Sequence, residues 1–518
     1  MHWAEHTART IIERQPDKEI YVCAAGISPS GPVHIGNFRE VVTTYFVARA
    51  LQDLGKRVRF LFSWDDYDRF RKVPADVDQA FARYIGMSYS AVPAPDGSGT
   101  SYAMYFEQQF ETMLAAFEIT PDYRYQHENY TSGIYAEQII HAFRQRHAIY
   151  DILSEYKTAA GSDAEREAFY PATVYCAVCG TDATTIDAFD EAKATYHYSC
   201  HCGYTATVDM RTEHRMKLNW KVDWAMRWAH EGVDFEPGGK DHSAANGSYT
   251  VSSRIAQEIF RQPAPLYLPY EFIRLKGETK KMSSSSGGVL TPQDLLHVYP
   301  PSLLLFLFAK HRPNHAFHIG LDEDVLRNYS EFERFVSRPT RQSDEIQQSL
   351  RWSHHTNAHP VSFTQLTMIG PMVDFDPELI ENVFHEIIPT EQIARAHYFV
   401  TQWCPERELQ INSEPDYELY AQLTETDRDW IQRFVAALRE DEDVLNAFYR
   451  LTRQSEKKET LRLQKYYATL LYRLTIQKSF GPRIPLLIET IGRGQVCSLL
   501  DFSKEMIIEV SRKSADPS

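Results

Sequence analysis

The chain has 518 residues, 55 basic and 70 acidic side chains, and a formal net charge of −15. Its composition, 43% hydrophobic and 24% charged, is that of a folded globular protein long enough for about three to four domains. That excludes a disordered chain, a collagen and a coiled-coil rod. The acidic balance excludes salt-driven DNA coating as the main task, while local basic patches can still serve a nucleic acid. In chain order, residues 20–26 are expected as a short buried strand. The turn Ser28-Pro29-Ser30-Gly31-Pro32 follows. A helix then runs to a glycine cap at Gly55, with Ile35, Phe38, Val42, Tyr45, Phe46, Ala50 and Leu54 mostly at three- and four-residue steps. A second strand over 58–62 ends in Ser63-Trp64-Asp65-Asp66.

A strand–helix–strand unit implies a parallel sheet with a right-handed crossover. Ligands then sit at the carboxyl ends of strands, where residues 28–36 and 65–68 fall. The expected fold class is α/β: a doubly wound parallel-sheet (Rossmann-type) domain, an insertion that carries the paired cysteines and an all-α C-terminal domain. Residues 1–105 would be the first half of the sheet domain and 106–215 the insertion. Residues 216–290 would be the second half, 291–345 a connecting helical region and 346–518 the helical domain. The longest apolar run, 303–309, is far short of the roughly 18 residues a membrane helix needs. The N-terminus lacks the basic-then-apolar layout of a signal peptide. Seven cysteines make no disulfide scaffold, so a reducing, cytoplasmic location is expected.

The segment Pro29-Ser30-Gly31-Pro32-Val33-His34-Ile35-Gly36-Asn37 joins a strand to a helix. Free N–H groups and the positive dipole end stabilise a phosphate at such a point. His34 adds a donor, and Gly36 admits a ring or phosphate close to the backbone. A plain turn opening a helix is the competing reading. The later segment Lys276-Gly277-Glu278-Thr279-Lys280-Lys281-Met282-Ser283-Ser284-Ser285-Ser286-Gly287 offers ammonium groups and hydroxyls suited to a polyphosphate. Its glycines can hinge a closing loop; taken alone, it would be a solvated linker.

Together the two segments resemble the HIGH and KMSKS signatures of class I aminoacyl-tRNA synthetases, in His34-Ile35-Gly36-Asn37 and Lys281-Met282-Ser283-Ser284-Ser285. Asn37 replaces the second histidine, and Ser284 the second lysine. Longer blocks are similar to the class I lysyl-tRNA synthetase family. They are Ser63-Trp64-Asp65-Asp66-Tyr67-Asp68, Arg71-Lys72-Val73-Pro74, Trp220-Lys221-Val222-Asp223-Trp224-Ala225-Met226-Arg227-Trp228, Gly239-Lys240-Asp241-His242 and Gly481-Pro482-Arg483. The resemblance implies lysine and tRNA(Lys) as partners, ATP with Mg2+ as substrate, and transfer to the 2′-OH of the terminal adenosine. It implies that His34, Lys281, Ser283 and Ser284 stabilise the pyrophosphate-leaving transition state. Pro29, His34, Gly36, Asn37, Asp241, Lys276, Lys280, Lys281 and Met282 would hold ATP. The missing second lysine shifts its share to Lys280 or Lys276. Gly26, Ser28, Asp65, Asp66, Trp220, His242 and Tyr270 would hold lysine.

A lysine substrate carries two ammonium groups, and burying either without a counter-charge costs several kcal/mol. By its place in the resembling motif, Asp65 is the candidate for the α-ammonium. Asp66 or Asp68 would serve the ε-ammonium, sharing one face if the strand continues. A solvated acidic loop is the competing reading. Trp220 and Tyr270 would sandwich the aliphatic stem and its cation, against plain core packing.

Cys176 and Cys179, with Cys200 and Cys202, form two paired knuckles that suit tetrahedral structural zinc. His197 or His201 could replace one thiolate; free thiols or a redox pair are the alternatives. Toward the C-terminus, Arg450, Arg453, Lys457, Lys458, Arg462, Lys465, Arg473, Lys478 and Arg483 interleave with Tyr466, Tyr467 and Tyr472. Single-stranded RNA is read by such stacking and phosphate contacts, and the resemblance implies an anticodon-binding domain there. Two rivals remain open. One is a class I synthetase for arginine or glutamate, glutamate being disfavoured by an acidic pocket. The other is a non-catalytic tRNA-binding protein on the same scaffold.

Overall fold

The computed structural model describes residues 1–75, 77–157, 161–271, 273–276, 290–355 and 359–503. The strands in chain order are β1 Ile20–Ile27, β2 Arg57–Trp64, β3 Asp122–Tyr125, β4 Ala172–Val174, β5 Thr184–Asp190 and β6 Thr195–Cys200. They continue with β7 Thr205–Asp209, β8 Met216–Leu218, β9 Phe235–Gly239, β10 Leu266–Tyr270, β11 Ile273–Leu275 and β12 Phe317–Ile319. Five of them make one sheet in the order β10-β9-β1-β2-β3, all parallel. From β1 the order runs outward one way to β3 and the other way to β10, so a doubly wound sheet has its switch point between β1 and β9. β1 and β2 pair along their whole length, Ile20↔Arg57 to Ile27↔Trp64. β1 and β9 pair at Cys23↔Phe235 alone among the described residues. Beyond that bridge the described residues form no further β1–β9 pair, and in doubly wound sheets the ligand crevice lies at the carboxyl ends of the strands at this switch point.

Helix α1 spans Trp3–Arg14 and helix α2 spans Ile35–Asp53. α2 is buried on nearly its whole circumference, from Ile35 and Phe38 through Val41, Val42, Phe46 and Leu51. Side chains such as Phe38 and Phe46 each contribute about 1.5–3 kcal/mol of burial. The helix stops where Gly55 takes φ +77, a left-handed position that glycine adopts without strain. Helix α3, Tyr102–Ala116, leads to β3. β3 therefore belongs to the central sheet, although it lies inside the 106–215 stretch expected as an insertion. The excursion proper is based on the antiparallel pair β4–β8 and carries the three-stranded sheet β5-β6-β7.

The chain divides into two units. The first is Met1–Gly320 with Arg338–Thr356, and the second is Leu321–Ser337 with Asn357–Ser518. The division cuts through the 291–345 stretch expected as a connecting region. The second unit is helical, including Glu425–Arg439, Val444–Thr452, Lys457–Ile476 and Ile484–Ile491. Its core stacks Trp430 on Phe434 and on Tyr467 at ring distances of 5.0 and 4.2 Å. A capping box between Thr424 and Asp427 starts the Glu425–Arg439 helix. Among the described residues, no helix is long and apolar enough to cross a membrane.

Candidate active site

In the crevice between β1 and β9, the Gly26 N–H has no strand partner and is donated to Glu40 Oε1 at 2.9 Å. Glu40 lies one turn into α2 and reaches into the gap. Its Oε2 accepts the Tyr270 hydroxyl at 2.8 Å, from the end of β10. Burial pushes the Glu40 carboxyl up to about 8, with the Gly26 N–H and Tyr270 O–H opposing. Among the described residues, Glu40 pairs with no cation. Gly26 also sits tightly against β2: a Cβ there would lie 3.3 Å from the Ser63 carbonyl oxygen.

The turn after β1 places half-buried Ser28 and buried Pro29 at the mouth of the crevice. The Ser30 N–H bonds to the Ser28 carbonyl at 2.8 Å. His34 is the N-cap of α2 and is 7% exposed. Its Nδ1 accepts from the Asn37 N–H at 3.2 Å, which in a neutral ring puts the proton on Nε2. Gly36 makes room for this: a Cβ would stand 2.9 Å from both Cε1 and Nδ1 of His34. Buried Arg39 donates to the carbonyls of Glu271, Arg312 and His315 at 2.6, 3.0 and 2.8 Å. It thereby ties α2 to the segments flanking β11 and β12. The Lys276 N–H bonds to the Ile319 carbonyl at 3.1 Å at the end of β11. Lys280, Lys281, Met282, Ser283 and Ser284 lie outside the described residues.

The acidic run after β2 is dispersed rather than shared on one face. The strand ends at Trp64, so strand alternation does not extend to Asp66 and Asp68. Asp65, 6% exposed, pairs with Arg227 at 2.7 Å. Asp66, 0% exposed, accepts the His127 N–H at 2.8 Å and also pairs with the His127 ring. Asp68 lies 3.3 Å from Lys217. Lys217 is 2.7 Å from Asp223, which also bonds to the Tyr130 hydroxyl and lies 3.2 Å from Arg227. Burial pushes Asp65 up to about 6 while the Arg227 guanidinium opposes it. Two cations thus answer Asp65, Asp68 and Asp223. Two further carboxyl groups, half-buried Glu40 and buried Glu236, have hydrogen-bond donors but no ion pair among the described residues. The described residues here thus hold more carboxyl groups than cations, and burial keeps the Glu40 carboxyl largely protonated at neutral pH.

Trp220 opens the helix Trp220–Glu231, half-buried, and stacks on Trp224 with ring centroids 5.1 Å apart and planes 20° from parallel. Asp241 and His242 follow the Gly238-Gly239 end of β9 in the short turn Lys240–Ser243. The His242 ring meets Trp224 edge-on at 5.8 Å. Tyr270 is 6% exposed at the end of β10. Gly26, Ser28, His34, His242 and Tyr270 therefore collect at the carboxyl ends of β1, β9 and β10. Asp65 and Asp66 sit beside them but are engaged by Arg227 and His127. Sequence reasoning gave no role to Glu40, Glu236 or Arg227: Arg227 stood unmarked inside the Trp220–Trp228 block, and the signal available for Glu236 was a lone glutamate between Phe235 and Pro237 in a short strand.

The four thiols of Cys176, Cys179, Cys200 and Cys202 lie within 4.8 Å of one another. No histidine joins the group among the described residues; His197 Nδ1 instead meets Thr207 Oγ1 at 3.0 Å. Gly180 and Gly203 have φ +74 and +90, the left-handed turns that fold each knuckle around its sulfurs. The Thr181 hydroxyl, 3.2 Å away, pulls Cys179 down to about 6, toward the thiolate a metal requires. The soft, clustered donor set fits a tetrahedral metal.

A family model described as tRNA synthetases class I (K) matches residues 1–359. The chain belongs to this family. The protein named Lysine–tRNA ligase of Treponema pallidum (strain Nichols) is 44% identical over 336 residues, covering 64% of this chain and 63% of that one. Its namesake in Borreliella burgdorferi is 33% identical over 518 residues, covering 95% and 97% of the two chains. That of Pyrococcus horikoshii is 34% identical over 528 residues, covering 96% and 99%.

Proposed function

We propose that this chain is a cytoplasmic lysine–tRNA ligase. The observation that carries the reading is the carboxyl-rich crevice at the switch point, where, among the described residues, Glu40 pairs with no cation beside the signature segment at His34. A dicationic amino acid supplies a cation for Glu40, whose carboxyl releases its proton as the ligand binds. Glu40 and the Tyr270 hydroxyl would receive the ε-ammonium. Gly26 and Ser28 would line the backbone end of lysine, and Trp220 and His242 its stem. Asp65, neutralised in part by Arg227, would contribute field rather than contact, and Asp66 would set the end of β3 through His127.

The reaction is nucleophilic substitution at phosphorus. A lysine carboxylate oxygen attacks the α-phosphorus of ATP, the bond to the bridging oxygen breaks, and pyrophosphate leaves with its electron pair. Magnesium bound to ATP supplies neutralising charge on the phosphates. The protein's share is alignment and electrostatic stabilisation. His34 Nε2 donates to a phosphate oxygen at the positive end of α2, with Pro29, Gly36 and Asn37 shaping that end and Asp241 on the ribose side. Lys276, Lys280, Lys281, Met282, Ser283 and Ser284 would close over the leaving group. The 2′-OH of the terminal adenosine of tRNA(Lys) then attacks the lysyl carbonyl and AMP leaves. Zinc held by Cys176, Cys179, Cys200 and Cys202 would fix the fold of the excursion, and the helical second unit would read the anticodon.

The test is ATP–pyrophosphate exchange against all twenty amino acids, with and without tRNA. Lysine-dependent exchange is expected. Exchange with arginine or glutamate instead would replace the substrate, and no exchange under either condition would refute the enzyme.

A further inference from the structure

Trp224 and Trp228 lie one helical turn apart, and both indole N–H groups point at one side chain. Trp224 Nε1 donates to Glu236 Oε1 at 3.0 Å, and Trp228 Nε1 donates to Glu236 Oε2 at 2.6 Å. The three residues are 5%, 1% and 8% exposed. Burying a carboxylate is costly, and two apolar-bodied rings would pack as well against leucine. What the carboxylate adds is direction: one oxygen for each indole, which fixes both ring planes relative to β9. Trp224 is the ring against which Trp220 stacks and His242 rests edge-on. His242 hangs from the end of β9, the strand that carries Glu236. A single carboxylate therefore sets the helix and the turn that wall the crevice.

We propose that Glu236 is a positioning residue for amino-acid selection. Its two-indole clamp holds Trp224, and through it Trp220 and His242, in the setting that closes on the lysine stem. This rests on the reading of the chain as a lysine-activating synthetase. Glu236 acts through the rings and not by touching substrate.

The experiment compares wild type, Glu236→Gln and Glu236→Gln with Trp228→Phe in lysine-dependent ATP–pyrophosphate exchange. The amide of Gln has one acceptor, so one indole N–H faces an N–H of the amide. The clamp predicts a KM for lysine about tenfold higher or more, with kcat and the KM for ATP within about threefold of wild type. Adding Trp228→Phe removes the second donor, and the amide oxygen again serves Trp224, so most of the lysine KM is recovered. A charge role for Glu236 would not be rescued in this way. An unchanged lysine KM in Glu236→Gln, or no recovery in the double variant, overturns the clamp. If Glu236→Gln does not fold by circular dichroism, Trp224→Phe removes the same bond and keeps a ring. A lysine KM unchanged in that variant overturns the clamp equally. Wild type lacking lysine-dependent exchange would instead refute the substrate reading, and the clamp's role with it.

Discussion

Replacing Glu40 by glutamine tests the charge logic of the crevice. The carboxylate accepts the Gly26 N–H at 2.9 Å and the Tyr270 O–H at 2.8 Å, and burial raises it from an ordinary 4.5 to about 8. Glutamine keeps the size and one acceptor but loses the charge. Truncating one partner of a buried, hydrogen-bonded charge pair costs about 2–5 kcal/mol. At about 1.4 kcal/mol per tenfold, lysine affinity should fall by a factor between about 30 and several thousand at pH 8. Below that pH the wild-type carboxyl must first release a proton, at about 1.4 kcal/mol per pH unit. Wild-type lysine affinity should therefore rise close to tenfold per unit from pH 6 toward 8, with a proton released on binding, and the variant should be flat. Stability runs the other way. Between pH 4.5 and 8 the folded state holds the proton that the unfolded chain has lost, so the Glu40 contribution falls as pH rises through that window. The glutamine variant escapes that loss. Exchange kinetics and calorimetric titration of lysine from pH 6 to 8 measure both. A lysine KM within threefold of wild type at pH 8, or a retained pH slope, would refute the assignment.

Gly36→Ala places a Cβ 2.9 Å from the His34 ring; the ring must swing off its cap, and kcat for exchange should fall about a hundredfold with little change in lysine KM. Equal loss in both parameters would point to general misfolding of the turn. Asp65→Asn breaks a buried pair with Arg227, which keeps Asp223 at 3.2 Å; a loss of about 3 kcal/mol should appear as a lower melting temperature. A melting curve matching wild type would show that the network tolerates the unpaired guanidinium. Cys202→Ser removes one of four clustered thiols, so metal analysis should drop from about one zinc per chain to a small fraction. Wild-type protein purified without any metal would contradict the zinc assignment.

Local chemistry was legible in the sequence. The Pro-Gly turn, the histidine cap and the long apolar helix are short-range features, and β1, α2 and β2 fall within two residues of where periodicity places them. The cysteine knuckles are equally local, because C-x2-C and C-x-C spacings set the turns that gather their sulfurs. The counter-charge was not legible. Asp65 looks unpaired in the sequence, yet its cation, Arg227, comes from a helix 162 positions away. Glu40 looks like one more polar residue of α2. It becomes the carboxyl of the crevice because β9 meets β1 at one bridge among the described residues, and the Gly26 N–H goes instead to the Glu40 side chain of α2. Residue type and spacing determine which groups can cap, turn or ligate, since those interactions span a few residues. Which carboxylate remains unanswered depends on where distant cations land, and only the tertiary structure decides that.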